Sequence, residues 1–187
     1  MLDEPALRPP VMACADVRTM AGLLAEKGDR VRGRAILNRF CRTKGGAMLA
    51  DGGFESAQLD ATGLNGWQFV GEGGLDVRLA SGGSGGKAVV VASALALRQV
   101  FASQALQLAP GRYRVSWRME GATAGISARL TCQQTTGDFL AAVPSGSNRL
   151  AAEAEVGTDC PTQWLEFAVD PGAGPITVDD VKIERVG

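Results

Sequence analysis

The sequence contains no histidine, few aromatic residues and no long hydrophobic run. The absence of histidine excludes Ser-His-Asp and Cys-His catalysis, histidine-ligated zinc and acid–base chemistry by an imidazole. No apolar run approaches the ~20 residues with which a helix crosses a bilayer. A formal net charge of -1 also argues against a nucleic-acid partner, because such proteins present a basic surface. We therefore expect no membrane span and no nucleic-acid binding.

Hydrophobic residues make up 45% and charged residues 21% of the 187 residues, which suits a well-packed globular protein. Charge and glycine are unevenly distributed along the chain. Residues 1–50 carry nine basic and five acidic side chains, whereas the rest carries ten basic and fifteen acidic ones. The rest also contains 20 of the 25 glycines. This change in composition predicts two domains, residues 1–48 and 49–187.

The first domain is predicted to be a short α-helical hairpin. Gly28 and Asp29 would stop one helix and cap the next. Apolar residues recur at helical spacing on both sides of them, at Val17, Met20, Leu23, Leu24, Val31, Ala35, Ile36, Leu37 and Phe40. The run 23–29 followed by Ala35 resembles the inter-helix turn of a tetratricopeptide repeat. One hairpin cannot bury both of its faces, so we expect it to pack on the next domain, continue an upstream array or contact a protein partner.

The second domain shows the two-residue periodicity of β-strands. The clearest strand runs from residue 112 to 119, where Tyr113, Val115, Trp117 and Met119 fall on one face. The last strand, 176–183, shows a register change at Asp179-Asp180. The other predicted strands are 67–70, 75–80, 88–96, 100–108, 126–132, 139–143, 151–156 and 165–169. Nine or ten short strands separated by turn residues predict a mainly β fold, an antiparallel β-sandwich.

Several short segments of this domain resemble the non-catalytic carbohydrate-binding modules of the galactose-binding-like superfamily. They are Gly52-Gly53-Phe54-Glu55, then Trp67, a glycine-rich turn before 87–91, Pro110-Gly111-Arg112-Tyr113, and the closing Ile176-Thr177-Val178-Asp179-Asp180-Val181. The resemblance covers residues 50–187 and implies an eight-stranded jelly roll whose first and last strands are neighbours. Sugar binding does not follow from the fold, since relatives also serve as structural modules.

The resemblance also implies a structural calcium ion. In such modules calcium ties the first strand to the last, and the corresponding ligands here are Glu55 and either Asp179 or Asp180. Backbone carbonyls near Gly53 and Lys87 would complete the shell of six to eight oxygen ligands that calcium prefers. The alternative is that Glu55 caps a turn and the aspartates lie in a solvated loop.

Four cysteines permit three disulfide pairings, and none forms a CxxC motif. Pairing within each domain is the simplest arrangement, which gives Cys132–Cys160 and Cys14–Cys41. Disulfides indicate a periplasmic or extracellular protein, although four buried free thiols in a cytoplasmic protein remain an alternative. Asp3, Glu4 and prolines stand where the apolar region of a signal peptide is expected.

Possible ligand contacts come from one tryptophan and one strand face. Trp164 is out of phase with its apolar neighbours and is predicted to be a solvent-facing platform for a sugar ring, or else a lid over the sheet edge or the hairpin. Arg112, Arg114 and Arg118 share a face and suit forked hydrogen bonds to a ligand. They suit equally well cross-strand pairing with Glu153, Glu155 or Glu166.

No carboxylate pair lies in a recognisable catalytic context, so we do not expect an enzyme. The leading hypothesis is a non-catalytic module that binds a polysaccharide or oligosaccharide, or serves the cell envelope. The alternative is a structural or protein-interaction module without a sugar ligand.

Overall fold

The computed structural model describes residues 48–55, 66–71, 73–82, 86–121, 125–132, 138–160 and 163–187. It also describes positions 17, 20, 21, 23, 24, 27, 29, 32, 33, 35 and 36. The chain forms two compact units, Met1–Gly45 and Gly46–Gly187, a division close to the predicted domain boundary after residue 48. No helix in the described part of the chain is long and apolar enough to span a membrane.

The second unit consists of two antiparallel sheets, as the periodicity predicts. The described strands are β1 (Gln68–Phe69), β2 (Leu75–Ser81), β3 (Lys87–Ser93), β4 (Gln99–Leu106), β5 (Gly111–Glu120), β6 (Ile126–Cys132), β7 (Val143–Gly146), β8 (Arg149–Val156), β9 (Gln163–Val169) and β10 (Ile176–Arg185). One sheet has the order β1-β4-β9-β6 and the other β2-β3-β10-β5-β8-β7. The fold is therefore a β-sandwich of a four-stranded and a six-stranded sheet.

Alternation along the strands places apolar side chains between the sheets. In β5, Tyr113, Val115, Trp117 and Met119 are all buried, which confirms the predicted inner face. Aromatic rings link the two sheets across the core, because Phe167 of β9 lies 5.3 Å from Trp117 and 5.8 Å from Trp67 between ring centroids. Burial of side chains this large is the main source of stability for such a sandwich.

The closing strand β10 is central rather than terminal in its sheet. It pairs with β3 and β5, and a register shift between Asp179 and Lys182 confirms the predicted irregularity. Among the described strands, β1 pairs with β4 and is not a neighbour of β10, so the implied pairing of the first and last strands stays a prediction. A segment before β1 instead reaches β10, where the amide of Val181 donates to the carbonyl oxygen of Gly52 at 2.9 Å.

Two other predictions need correction or stay open. Residues 139–142 are not a strand, since β7 begins only at Val143. Among the described positions between 17 and 36, several are helical, but no complete helix is described there. The hairpin and any protein partner that it contacts therefore stay predictions.

The Gly52 contact leads to a stability prediction. A methyl group at Gly52 would overlap the carbonyl oxygen of Val181, whereas one at Gly53 would lie 3.6 Å from Glu55 Cγ, an ordinary contact. We expect Gly52→Ala to lower the free energy of unfolding by about 1–3 kcal/mol, the usual range for overpacking. Gly53→Ala, the matched control, should remain near wild type in urea denaturation. Equal effects of the two variants would show that Gly52 is not tightly packed against β10.

Candidate functional site

Charged side chains occupy the outer face of the six-stranded sheet. We call this set the charged face; its members on β5, β8 and β10 are Arg112, Arg114, Arg118, Glu120, Arg149, Glu153, Glu155, Lys182 and Glu184. The face forms because these positions alternate with the buried side chains of the same strands. Register places Arg114 opposite Glu153 on β8 and opposite Glu184 on β10. The charged face is thus a continuous polar surface across three neighbouring strands.

Two of the predicted ligand arginines pair with one carboxylate on this face. Glu153 accepts hydrogen bonds from Arg112 at 2.7 Å and from Arg114 at 3.0 Å. The hydrogen bond from Arg114, followed by that from Arg112, holds the pKa of Glu153 below its ordinary value. The carboxylate is therefore charged at neutral pH and orients both guanidinium groups. This is one of the cross-strand pairings that the sequence left open.

The third arginine lies closer to the sheet centre. A terminal nitrogen of Arg118 lies 3.5 Å from a carboxylate oxygen of Glu120 and 3.5 Å from Asp179 Oδ2. Its side chain is only 27% exposed. Arg118 therefore connects the charged face to the predicted metal ligand on β10.

Trp164 does not face solvent, and this prediction is wrong. The alternation along β9 is as predicted, because Leu165 and Phe167 point into the core and Trp164 lies on the other face of the four-stranded sheet. There it pairs in register with Ala105 of β4 and Thr131 of β6. However, Trp164 is only 6% exposed. Each described aromatic side chain is buried or half-buried, so the described surface offers no exposed ring on which a sugar could stack.

The predicted calcium ligands converge on one turn between β2 and β3. The ends of this turn are joined by a hydrogen bond from the Gly82 amide to the Gly86 carbonyl oxygen. Glu55 Oε2 accepts a 3.2 Å hydrogen bond from the Lys87 amide, and a methyl group at Gly86 would overlap the Glu55 carboxylate. A methyl group at Gly82 would lie 3.1 Å from the Lys87 carbonyl oxygen and 3.2 Å from Asp179 Oδ2. Glu55 and Asp179 therefore both contact this turn.

The two aspartates of the closing pair differ in environment. Asp179 is buried, its Oδ1 accepts a hydrogen bond from the Asp180 amide, and its Oδ2 has no hydrogen-bond donor among the described residues. Asp180 instead pairs with Arg149 and Lys182. Burial raises the pKa of Asp180, but hydrogen bonds from Lys182 and Arg149 outweigh it and leave the pKa below its ordinary value. Asp179 is thus the carboxylate that lacks a complete set of protein partners.

The turn that carries Glu55 depends on a residue that sequence reasoning missed. Asp51 has φ 54°, its Oδ1 accepts from the Glu55 amide at 2.8 Å, and its carbonyl oxygen accepts from Trp67 Nε1 at 3.0 Å. The available signal was its position immediately before Gly52-Gly53, since an aspartate that bonds nearby backbone amides is typical of turns. Asp51 fixes the backbone from which Glu55 projects.

The described residues contain no cluster of three or more His, Cys, Asp or Glu side chains arranged to hold a metal. Two carboxylates and backbone carbonyl oxygens are nevertheless a donor set that calcium accepts. Asp179 Oδ2 is buried, and it has an ion-pair contact with Arg118 at 3.5 Å but no hydrogen-bond donor among the described residues. A buried carboxylate oxygen without a hydrogen bond is a group that a cation can satisfy.

One predicted disulfide is present. Cys132 at the end of β6 is bonded to Cys160, with Cα atoms 5.5 Å apart. Gln163 holds the second half of this bridge in place by donating to the Cys160 carbonyl oxygen while accepting from the Leu108 amide. Cys14 and Cys41 lie outside the described residues, so their pairing stays a prediction.

No known family profile and no characterised protein sequence matches the chain. Solved structures do match. The chain is similar to TmCBM61 in complex with β-1,4-galactotriose, with a TM-score of 0.53 and 20% identity over 76% of this chain and 100% of that one. It shares the sandwich fold of a carbohydrate-binding module.

Two further structures have a similar fold. A protein from Bacteroides thetaiotaomicron that is named for sugar binding matches with a TM-score of 0.50 and 8% identity over 76% of this chain and 96% of that one. The enzymatically active domain of tailspike protein 4 of bacteriophage CBA120 matches with a TM-score of 0.53 and 16% identity over 75% of this chain. Only 21% of the tailspike chain is covered, so the match concerns one part of that enzyme.

Proposed function

We propose that residues 46–187 form a non-catalytic module that binds a glycan on the charged face. The observation that carries this proposal is the exposed fork of Arg112 and Arg114 around Glu153 on β5 and β8. Guanidinium and carboxylate groups in fixed positions form paired hydrogen bonds with neighbouring hydroxyl groups. The fold likeness to a module with a bound galactotriose supports the proposal.

The described surface has no exposed aromatic ring, and this determines how the proposed glycan would be recognised. Recognition would depend on hydrogen bonds to hydroxyl groups, with little contribution from stacking. A shallow polar surface buries little ligand, and ordering costs offset much of the interaction, so we expect weak affinity. Catalysis is not part of the proposal, which requires only hydrogen bonds from the charged face to the hydroxyl groups of a glycan.

The test is affinity electrophoresis and calorimetry with a panel that begins with β-1,4-galactan and β-1,4-galactotriose. We expect Arg114→Ala and Glu153→Gln to weaken binding roughly tenfold, because each removes a charge-assisted hydrogen bond. Arg98→Gln is the matched control, since Arg98 forms a comparable exposed pair with Asp170 away from the charged face. Equal losses in Arg98→Gln and Arg114→Ala would place recognition elsewhere.

A structural or protein-interaction module is the second candidate. It is favoured by the burial of every described tryptophan, including Trp164. A panel of neutral and acidic polysaccharides that shows no binding would favour this candidate.

We further propose that a structural calcium ion is held by Glu55, Asp179 and the Lys87 carbonyl oxygen, with Gly53 adjacent and Asp180 excluded. Calcium would supply a positive charge that satisfies these oxygens together. Glu55 and Asp179 would then connect the segment before β1 to β10 in addition to the Gly52–Val181 hydrogen bond. The disulfide and the fold are typical of exported proteins, which supports a periplasmic or extracellular location.

A further inference from the structure

Two carboxylates of the charged face lie beside the arginine fork without a partner of their own. Glu155 of β8 lies opposite Arg112 in register, and Glu184 of β10 lies opposite Arg114. Both glutamates are exposed. Neither forms an ion pair with a described residue, although an arginine occupies the facing position on β5. Each strand beside β5 thus presents one unpaired negative charge next to the fork.

These carboxylates are unpaired because both arginines use Glu153. Arg112 donates to one carboxylate oxygen of Glu153 at 2.7 Å, and Arg114 donates to the other at 3.0 Å. One carboxylate therefore satisfies two guanidinium groups, and the two glutamates across from these arginines lack a counterion. An exposed carboxylate next to groups that position a ligand is available for a charge-assisted hydrogen bond to that ligand.

The charge balance around the fork is negative. Its two arginines face three glutamates, which leaves one negative charge. Two further cations of β10 flank Glu184, but both have other partners. Lys182 pairs with Asp180 at 3.2 Å, and Arg185 donates to the Pro110 carbonyl oxygen at 3.0 Å. Coulomb attraction therefore favours a ligand with a positive charge at the fork and disfavours one with a negative charge.

We propose that the charged face recognises glycans with free amino groups, and that Glu155 and Glu184 determine this specificity. The proposal rests on the glycan binding proposed above and names the class of glycan. Arg112 and Arg114 would bind hydroxyl groups, while a protonated amino group, which has three hydrogen-bond donors, would meet a free carboxylate. Acetylation of the amino group removes its charge and with it this attraction. A uronate or sulfate group brings a charge of the wrong sign.

The experiment compares two trisaccharides that differ only in acetylation, β-1,4-linked glucosamine and β-1,4-linked N-acetylglucosamine, with β-1,4-galactotriose as a neutral reference. Affinities for the whole protein are measured by calorimetry at about pH 6, where an amino group stays protonated. We expect the glucosamine trimer to bind more tightly than the acetylated trimer, by roughly twofold to fivefold for each exposed ion pair formed. Added salt should reduce this preference, because it screens exposed charges.

Variants assign the preference to the two glutamates. Glu155→Gln and Glu184→Gln should each reduce the ratio of the two affinities, and the double variant should bring it close to one. Asp76→Asn is the matched control, because Asp76 is an exposed carboxylate of β2 in the same sheet, without an ion pair to a described residue. It should keep the wild-type ratio. All three positions are exposed, so their substitution should leave folding intact.

The possible outcomes separate this proposal from the proposed function on which it rests. Equal affinities for the three trisaccharides would overturn the preference for amino groups and leave glycan binding in place. A preference that survives in the double variant would show that other groups supply it. A preference lost in Asp76→Asn as well would assign it to the net charge of the protein. Absence of binding to every trisaccharide and polysaccharide tested would refute the proposed function, and with it this specificity.

Discussion

Calcium is expected to raise the melting temperature of the wild-type protein and of Asp180→Asn, but not that of Asp179→Asn or Glu55→Gln. An ion that binds only the folded state stabilises it by about 2.7 kcal/mol at one hundred times its dissociation constant. Asp179→Asn and Glu55→Gln each remove the charge of a proposed calcium ligand. Asp180→Asn removes a carboxylate that pairs with Arg149 and Lys182 instead. Thermal unfolding in calcium and in a chelator measures the difference.

The comparison of neighbouring aspartates makes this prediction specific. Asp179→Asn and Asp180→Asn remove the same net charge from adjacent residues of β10, so a calcium response lost in only one of them cannot result from the net charge. A chelator that leaves the wild-type melting temperature unchanged, together with no calcium by elemental analysis, would refute the proposed ion. A calcium response lost in Asp180→Asn and kept in Asp179→Asn would reverse the assignment.

The double variant Cys132→Ala/Cys160→Ala is expected to lose about 3–4 kcal/mol of unfolding free energy. The bridge spans a sequence separation of 28, and the chain-entropy account assigns roughly this cost to the unfolded state for a loop of that length. Urea denaturation of the two proteins without reductant measures the loss.

Thiol titration gives the control for the disulfide. In denaturant without reductant, the double variant should expose the same number of free thiols as wild type, because the replaced cysteines were bonded to each other. Two additional free thiols in wild type would contradict the bridge, and with it one argument for an exported protein.

Alternation within strands was predictable because it depends on neighbours in sequence. The inner face of β5, from Tyr113 to Met119, follows from the two-residue period alone. The same period correctly placed Trp164 on the face opposite Leu165. Its burial was not predictable, because the exposure of an outer face depends on which other parts of the protein cover it, and sequence periodicity contains no such information.

The arrangement of the proposed calcium ligands depends on contacts between residues that are distant in sequence. The sequence showed a register change at Asp179-Asp180 but left both aspartates as candidates. We propose Asp179 because of the irregularity in β10, where Asp180 adopts φ 50° and its side chain pairs with Arg149 of β8. Arg149 is 31 residues away, and a pairing at that distance depends on strand order. The role of Gly52 against Val181 was hidden for the same reason.

Amide NMR titration with β-1,4-galactotriose and related oligosaccharides tests the central proposal most directly. We predict that the binding glycan shifts amides of β5, β8 and β10 around Arg114 and Glu153, and that Glu153→Gln reduces these shifts at equal ligand concentration. Absence of shifts with every glycan of a broad panel, or shifts confined to the four-stranded sheet, would contradict glycan recognition by the charged face.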